Sequence, residues 1–218
     1  MAVKSEREYR DMTMEIRSAE NEEVEQEDRK VVTGYASTFN EPYTLYEDDE
    51  WRFDEVVDSK AFDNTDMSDV IMQYDHEGRV FARMSNNTLT VTPDEKGLLI
   101  EANLGGTELG RQLFEEIKGG YTNKMSFGFT VDGEDVRDMK AKDGKALTVR
   151  TITSVRKLYD VSAVSLPAND ATSISVRTLT DGEIERIRAE RLEAEKLETE
   201  RRRAIVTAKA MLDGGNNE

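Results

Sequence analysis

The sequence predicts a mostly β domain with inserted helices (α+β), closed or partly closed into a barrel and followed by one long charged helix. Three observations carry this reading. Stretches that alternate apolar and polar residues, or run in β-branched residues, recur between turn residues from Val31 to Leu179, as strands do. One stretch, Thr107 to Lys118, changes to a helical period, and Glu183 to Leu212 holds neither Gly nor Pro. At about 150 residues per domain, 218 residues fit one domain with an appendage. The hydrophobic share, 37%, is lean against a usual ~45–50% counted with Gly, so part of the chain is expected outside the core.

The first strand is read over Met12–Arg17 and the second over Val31–Phe39, with a nearly all-acidic linker from Ala19 to Lys30 between them. Another acidic stretch, Glu47–Glu50, precedes Trp51 and Phe53. Strands then follow at Val70–Tyr74, Val80–Met84, Thr88–Thr92 and Leu98–Leu104, with turn chemistry at Gly78, Asn86-Asn87 and Pro93-Asp94; in sequence they read as a meander. In Thr107–Lys118, Leu109, Leu113, Phe114 and Ile117 fall on one helix face, stopped by Gly119-Gly120. Lys124 to Val131 alternates as a strand, with Met125, Phe127 and Phe129 on one face and Ser126, Gly128 and Thr130 on the other. Leu147–Ile152, Val155–Ser165 and Ser173–Leu179 continue in β-branched residues.

Thr180-x-x-Glu183 is a capping box. The helix it opens has Ile184, Ile187, Leu192 and Leu197 at spacings that form no tight seam, so it reads as a solvated arm. The expected organisation is an acidic N-terminal strand and linker over residues 1–30, a β domain over 12–179 and a charged helical arm and tail over 180–218.

Composition excludes several function classes. With 30 basic and 46 acidic residues the net charge is −16, which repels a phosphate backbone. The absence of cysteine removes disulfides, thiolate metal sites and a cysteine nucleophile together, and the lone histidine, His76, removes multi-histidine metal sites. The acidic run from Asp63 to Asp69 lacks the central glycine and the closing glutamate of a calcium loop. No cofactor or metal is therefore expected. No apolar run approaches the roughly 18 residues of a membrane span, and the N-terminus is charged (Lys4, Glu6, Arg7, Glu8), so no membrane partner is expected either.

Taken singly, His76 is a turn histidine and Ser126 a small residue suited to sheet packing. Together they admit a chemistry. A serine hydroxyl needs a base within about 2.6–3.2 Å to act as a nucleophile, and His76 is the one histidine available, 50 residues upstream.

Five segments, in this order, carry a family resemblance: Phe53–Phe62, Met72-Gln73-Tyr74-Asp75-His76-Glu77-Gly78-Arg79, Gly97-Leu98, Gly119–Phe129 with its Met125-Ser126-Phe127-Gly128-Phe129 strand, and Tyr159–Asn169 with Val161-Ser162-Ala163-Val164-Ser165-Leu166-Pro167-Ala168-Asn169. Their order and wording resemble the tailed-phage prohead (capsid maturation) proteases, which are similar to herpesvirus assemblins. The resemblance runs from about Met14 to Ser175. It implies a herpesvirus-protease-like β-barrel, Ser126 as nucleophile and His76 as general base.

Assemblins use a second histidine as third member, and this chain has none. A carboxylate takes that place, with Asp160 the candidate; Asp75 and Glu77 are weaker because side chains next to His76 on an extended segment point away from it. By the same similarity the oxyanion donors fall near Ala168 and Asn169, behind Pro167. The implied partners are the major capsid protein or a scaffold domain as substrate and the chain itself, with a homodimer on the assemblin pattern. The implied place is the assembling procapsid in the host bacterial cytoplasm. The alternative is a catalytically silent assembly or scaffolding protein, motivated by the acidity, the charged arm and the missing second histidine. A small-molecule esterase ranks last, since the Gly-x-Ser-x-Gly elbow is lacking.

Overall fold

The computed structural model describes residues 7–12, 17–18, 30–165, 185–193, 196–197 and 199–201. The chain divides into two compact units, Met1–Thr178 and Leu179–Glu218. In the second, the described residues are helical; the rest of the helix expected over Glu183–Leu212 lies outside them, as do the expected strand at Ser173–Leu179 and most of the acidic linker.

The first unit is built on a long hairpin. Strands β10 (Lys124–Lys140) and β11 (Ala146–Val164) pair antiparallel, with register shifts between Gly128 and Glu134. Those irregularities bend and twist the hairpin, and its two ends take different neighbours. Near the tip, the first half of β11 pairs in parallel with β5 (Trp51–Val57), which pairs with β4 (Tyr43–Glu47). At the other end, Asp160–Ala163 pairs in parallel with β6 (Ile71–Tyr74), which turns back into β7 (Glu77–Arg83). On the outer edge of β10, residues Met125–Phe129 pair with β1 (Glu8–Met12). A second sheet of four strands has β3 (Val31–Thr38) and β9 (Gly97–Asn103) at its centre, flanked by β2 (Arg17–Ser18) and β8 (Leu89–Pro93).

The expected barrel does not close among the described residues: the strands form one sheet of seven and one of four. The reason is the forked pairing of β11, whose two halves bind two different strands, so the hydrogen-bonded path branches instead of returning on itself. The expected meander is broken too. Strands β7 and β8 follow one another in sequence but lie in different sheets.

Phe127, Phe129, Met125, Met72, Leu98, Ile100, Leu104, Ile152 and Leu158 are fully buried between the elements. Helix α1 (Glu108–Lys118), capped by the Thr107 hydroxyl accepting from the Gly110 N–H, adds Leu113, Phe114 and Ile117 to this core. Leu109, expected on the same face, is exposed, and Gly110 is buried in its place. A Cβ on Gly110 would lie 2.2 Å from the Leu104 carbonyl, so the close seat of the first turn rotates Leu109 outward.

Candidate active site

The site is assembled from the end of the hairpin that carries β1 and β6. In the β10–β11 register Ser126 faces Ser162 and Gly128 faces Asp160. Side chains two residues apart share a sheet face, so these four positions form a small square on one side of the sheet. All four are buried. The opposite side presents Met125, Phe127 and Phe129 to the core, which is why the serine side can be small and polar. Gly128 is required by this packing: a Cβ there would lie 2.4 Å from Asp160 Oδ2.

His76 comes from the next strand pair. Tyr74 and Glu77 pair across a two-residue turn, Asp75-His76, in which both residues have positive φ, 49° and 59°. A tight hairpin turn of this hand needs that backbone, which Asp and His tolerate better than most residues. The turn holds the imidazole over the square. Its Nε2 lies 2.5 Å from Ser126 Oγ and its Nδ1 2.5 Å from Asp160 Oδ1, with only 11% of the side chain exposed. The carboxylate of Asp160 accepts from Nδ1–H, and that selects the tautomer with a lone pair on Nε2 facing the serine.

Asp160 has further partners. The Ser162 hydroxyl donates to its Oδ1 at 2.9 Å and also lies 3.2 Å from His76 Nδ1, while the Arg7 guanidinium pairs with its Oδ2. A fully buried carboxylate is tolerable because every oxygen is engaged. Asp75, weighed against Asp160 as orienter, faces elsewhere: it accepts from the Ser165 N–H at 3.0 Å and from its hydroxyl, tying the turn to the end of β11. Glu77 is exposed. Ala168 and Asn169 lie outside the described residues.

Beside the serine lies a buried ionic cluster. Arg10 is fully buried and donates to Glu55 through Nε at 2.5 Å and Nη2 at 2.9 Å. Arg150 donates to Glu55 and to Glu8 at 2.7 Å each and pairs with Glu134, and the Tyr43 hydroxyl also bonds Glu55. Burial raises the affinity of the Glu55 carboxyl for a proton, but the charges of Arg10 and Arg150 outweigh it and hold the group below its ordinary range. At Glu8 the same contest, burial against Arg150 and Arg10, ends with its pKa lowered to about 2. The Tyr43 phenol is pushed well up by burial and by Glu55.

Sequence reasoning joined Ser126, His76 and Asp160 but overlooked Arg7, Tyr9, Arg10, Ser162, Glu55 and Arg150. Part of a signal existed: Arg150 is a charge inside the β-branched run Leu147–Ile152, and a charge so placed is kept only when paired, whereas Glu55 stands beside Arg52 and Asp54 and carries no such mark. Among the described residues no group of three or more acidic or histidine side chains is set to hold a metal ion. The acidic run is engaged in surface pairs, Asp66 with Lys157 and Asp69 with Arg83.

A hydroxyl, an imidazole and a carboxylate linked in series across one sheet face have the arrangement of a serine peptidase site. The chain belongs to the caudovirus prohead serine protease family, whose model matches residues 13–186. No curated protein and no solved structure matches the chain. No helix among the described residues is long and apolar enough to cross a membrane.

Proposed function

We propose that the chain is a serine endopeptidase of procapsid maturation, cleaving capsid or scaffold protein, and itself, inside the assembling phage head in the host. The observation that carries the assignment of roles is the continuous path Ser126 Oγ, His76 Nε2, His76 Nδ1, Asp160 Oδ1, with 2.5 Å at each junction between side chains. Ser126 Oγ attacks the substrate carbonyl as its proton passes to His76 Nε2. Asp160 keeps the imidazole in the receptive tautomer and stabilises the imidazolium. His76 then protonates the leaving amine, and a water repeats the cycle on the acyl-enzyme. Ser162 orients Asp160. Backbone N–H groups at Ala168 and Asn169 are the proposed donors to the oxyanion.

The test is co-expression with the capsid protein of the same phage. Cleavage of that protein by the wild type and its loss with Ser126→Ala are expected. Near-normal cleavage by Ser126→Ala would sink the assignment, and an intact capsid protein alongside an inert wild type would favour the silent assembly protein.

A further inference from the structure

The segment Arg7 to Arg10 touches all three members of the proposed site. The Arg10 carbonyl accepts a hydrogen bond from Ser126 Oγ at 3.0 Å, the Tyr9 ring meets the His76 ring edge-on at 4.5 Å, and the Arg7 guanidinium pairs with Asp160. These contacts oppose turnover. A serine hydroxyl has one proton, and while the Arg10 carbonyl holds it, it is not passed to Nε2. The Arg7 cation offsets the negative charge that Asp160 offers to an imidazolium. With β1 in place Ser126 is 0% exposed, so a substrate carbonyl has no route to Oγ.

The same strand shows what the edge can hold. β1 lies antiparallel to β10 through five register pairs, from Glu8↔Phe129 to Met12↔Met125, as an extended peptide does when it adds to a sheet edge. Arg10, the residue whose carbonyl meets the serine, sends its guanidinium to the buried carboxylate of Glu55. If β1 leaves, it takes Glu8 and Arg10 with it. Glu55, Glu134 and Arg150 remain, two negative charges and one positive, beside the Tyr43 hydroxyl. The vacated position is then short of one cation: Glu55 keeps only Arg150, which it shares with Glu134, and a buried carboxylate that loses one of its two cationic partners is costly.

We infer that the β10 edge beside Ser126 is the substrate edge, that it takes an extended peptide with an arginine or lysine at the residue whose carbonyl meets Ser126, and that residues 7–12 hold this edge as an intramolecular competitor in the resting chain. The inference rests on the roles given above to Ser126, His76 and Asp160. The competitor lies ahead of the family-matched stretch, residues 13–186, so the segment that blocks the site is separate in sequence from the part that forms it.

The test uses the full chain and a fluorophosphonate probe. Labelling forms the Ser126 Oγ–P bond as the P–F bond breaks; fluoride leaves and the hydroxyl proton goes to His76 Nε2. Wild type is expected to label slowly. Arg10→Ala and Glu8→Gln should each label about tenfold faster or more, since the rate follows the fraction of chains with an open edge. The peptide Arg-Glu-Tyr-Arg-Asp-Met added in trans should slow both variants again, while the same peptide with glutamate for its second arginine should not. If Arg10→Ala is unfolded by circular dichroism, Glu8→Gln alone decides.

Equal labelling of wild type and variants, or no effect of the first peptide, overturns the inference and leaves Ser126 as nucleophile. Equal slowing by both peptides removes the basic residue and so overturns the stated occupant. No labelling of any folded chain overturns the roles of Ser126 and His76, and the inference with them.

Discussion

At one end of the β10–β11 hairpin Ser126, Gly128, Asp160 and Ser162 are all buried; toward the other end Val136 and Met139 are 49% and 47% exposed and Arg137 pairs with Asp135 on the surface. The strands are the same two. What differs is what lies against them. At the site end β1 covers the outer edge of β10 and β6 brings the His76 turn over β11, whereas among the described residues β1 is paired no further along β10 than Phe129. Burial therefore raises the cost of each unpaired polar group at one end and leaves water to satisfy them at the other. Polar side chains at the buried end are interdependent, whereas an exposed pair such as Arg137–Asp135 stands nearly alone.

That contrast can be broken most sharply at the nucleophile and base. Ser126→Ala and His76→Ala are each expected to lower kcat by about 10⁶, with the double variant no worse than either, because such a pair acts as a unit. Arg137→Ala at the far end should leave the rate unchanged. A cleavage assay on a common substrate checks all four.

Asp160→Asn should lower kcat by about 10⁴ with the fold intact, since an amide neither stabilises the imidazolium nor secures the tautomer. Asp75→Asn should cost far less, its carboxylate being spent on Ser165. Reversal of that order in kcat would move the orienting role to Asp75.

Stability should divide along the same line. Glu55→Ala leaves Arg10 and Arg150 without a shared buried partner and is expected to cost about 3–5 kcal/mol, whereas loss of the exposed Arg137–Asp135 pair should be undetectable by denaturant titration. Gly128→Ala pushes a methyl against the Asp160 carboxylate. A displacement of that kind is expected to cost about 10² in turnover, with a smaller fall in melting temperature.

The smallest effect is in acid. The Glu8 carboxyl is lowered in the folded chain from 4.5 to about 2. A group depressed by folding stabilises above its unfolded value, and that stability is lost as pH falls through the folded one, because the unfolded chain binds the extra proton first. The melting temperature should therefore drop between pH 4.5 and pH 2, and Glu8→Gln should flatten that slope. Glu55, depressed for the same reason, keeps part of it in the variant.

Some elements were legible and some were not, for identifiable reasons. The strand at Leu89 and the core face of α1 announce themselves because one side is buried and the other wet, which leaves a period in the sequence, and those at Val31, Ile71 and Gly97 by their β-branched, aliphatic and aromatic runs between turn residues. Residues Asp132 to Lys140 leave none: both faces are largely solvated, and their strand is held by pairing with β11. Strands β4 and β5 were missed because the acidic run Glu47–Glu50 joins them and charged residues punctuate β5, two of which, Asp54 and Glu55, are buried. At the N-terminus, nothing in the charged stretch around Arg10 marks it as interior, yet Arg10 is fully buried.

The sequence by itself determined the strand-rich class, the helix within Thr107–Lys118, the absence of thiol chemistry and the identity of the one possible histidine, since these follow from composition and from local periodicity. It also placed Ser126 and Gly128 on the small face of their strand. Only the tertiary structure decided that β11 would split its partners between β5 and β6, that Arg7 would pair with Asp160, and that the N-terminal strand would lie across Ser126. Each of those depends on which strands meet over separations of 50 residues or more. Such meetings are chosen by burial and pairing across the whole core, which no local pattern records.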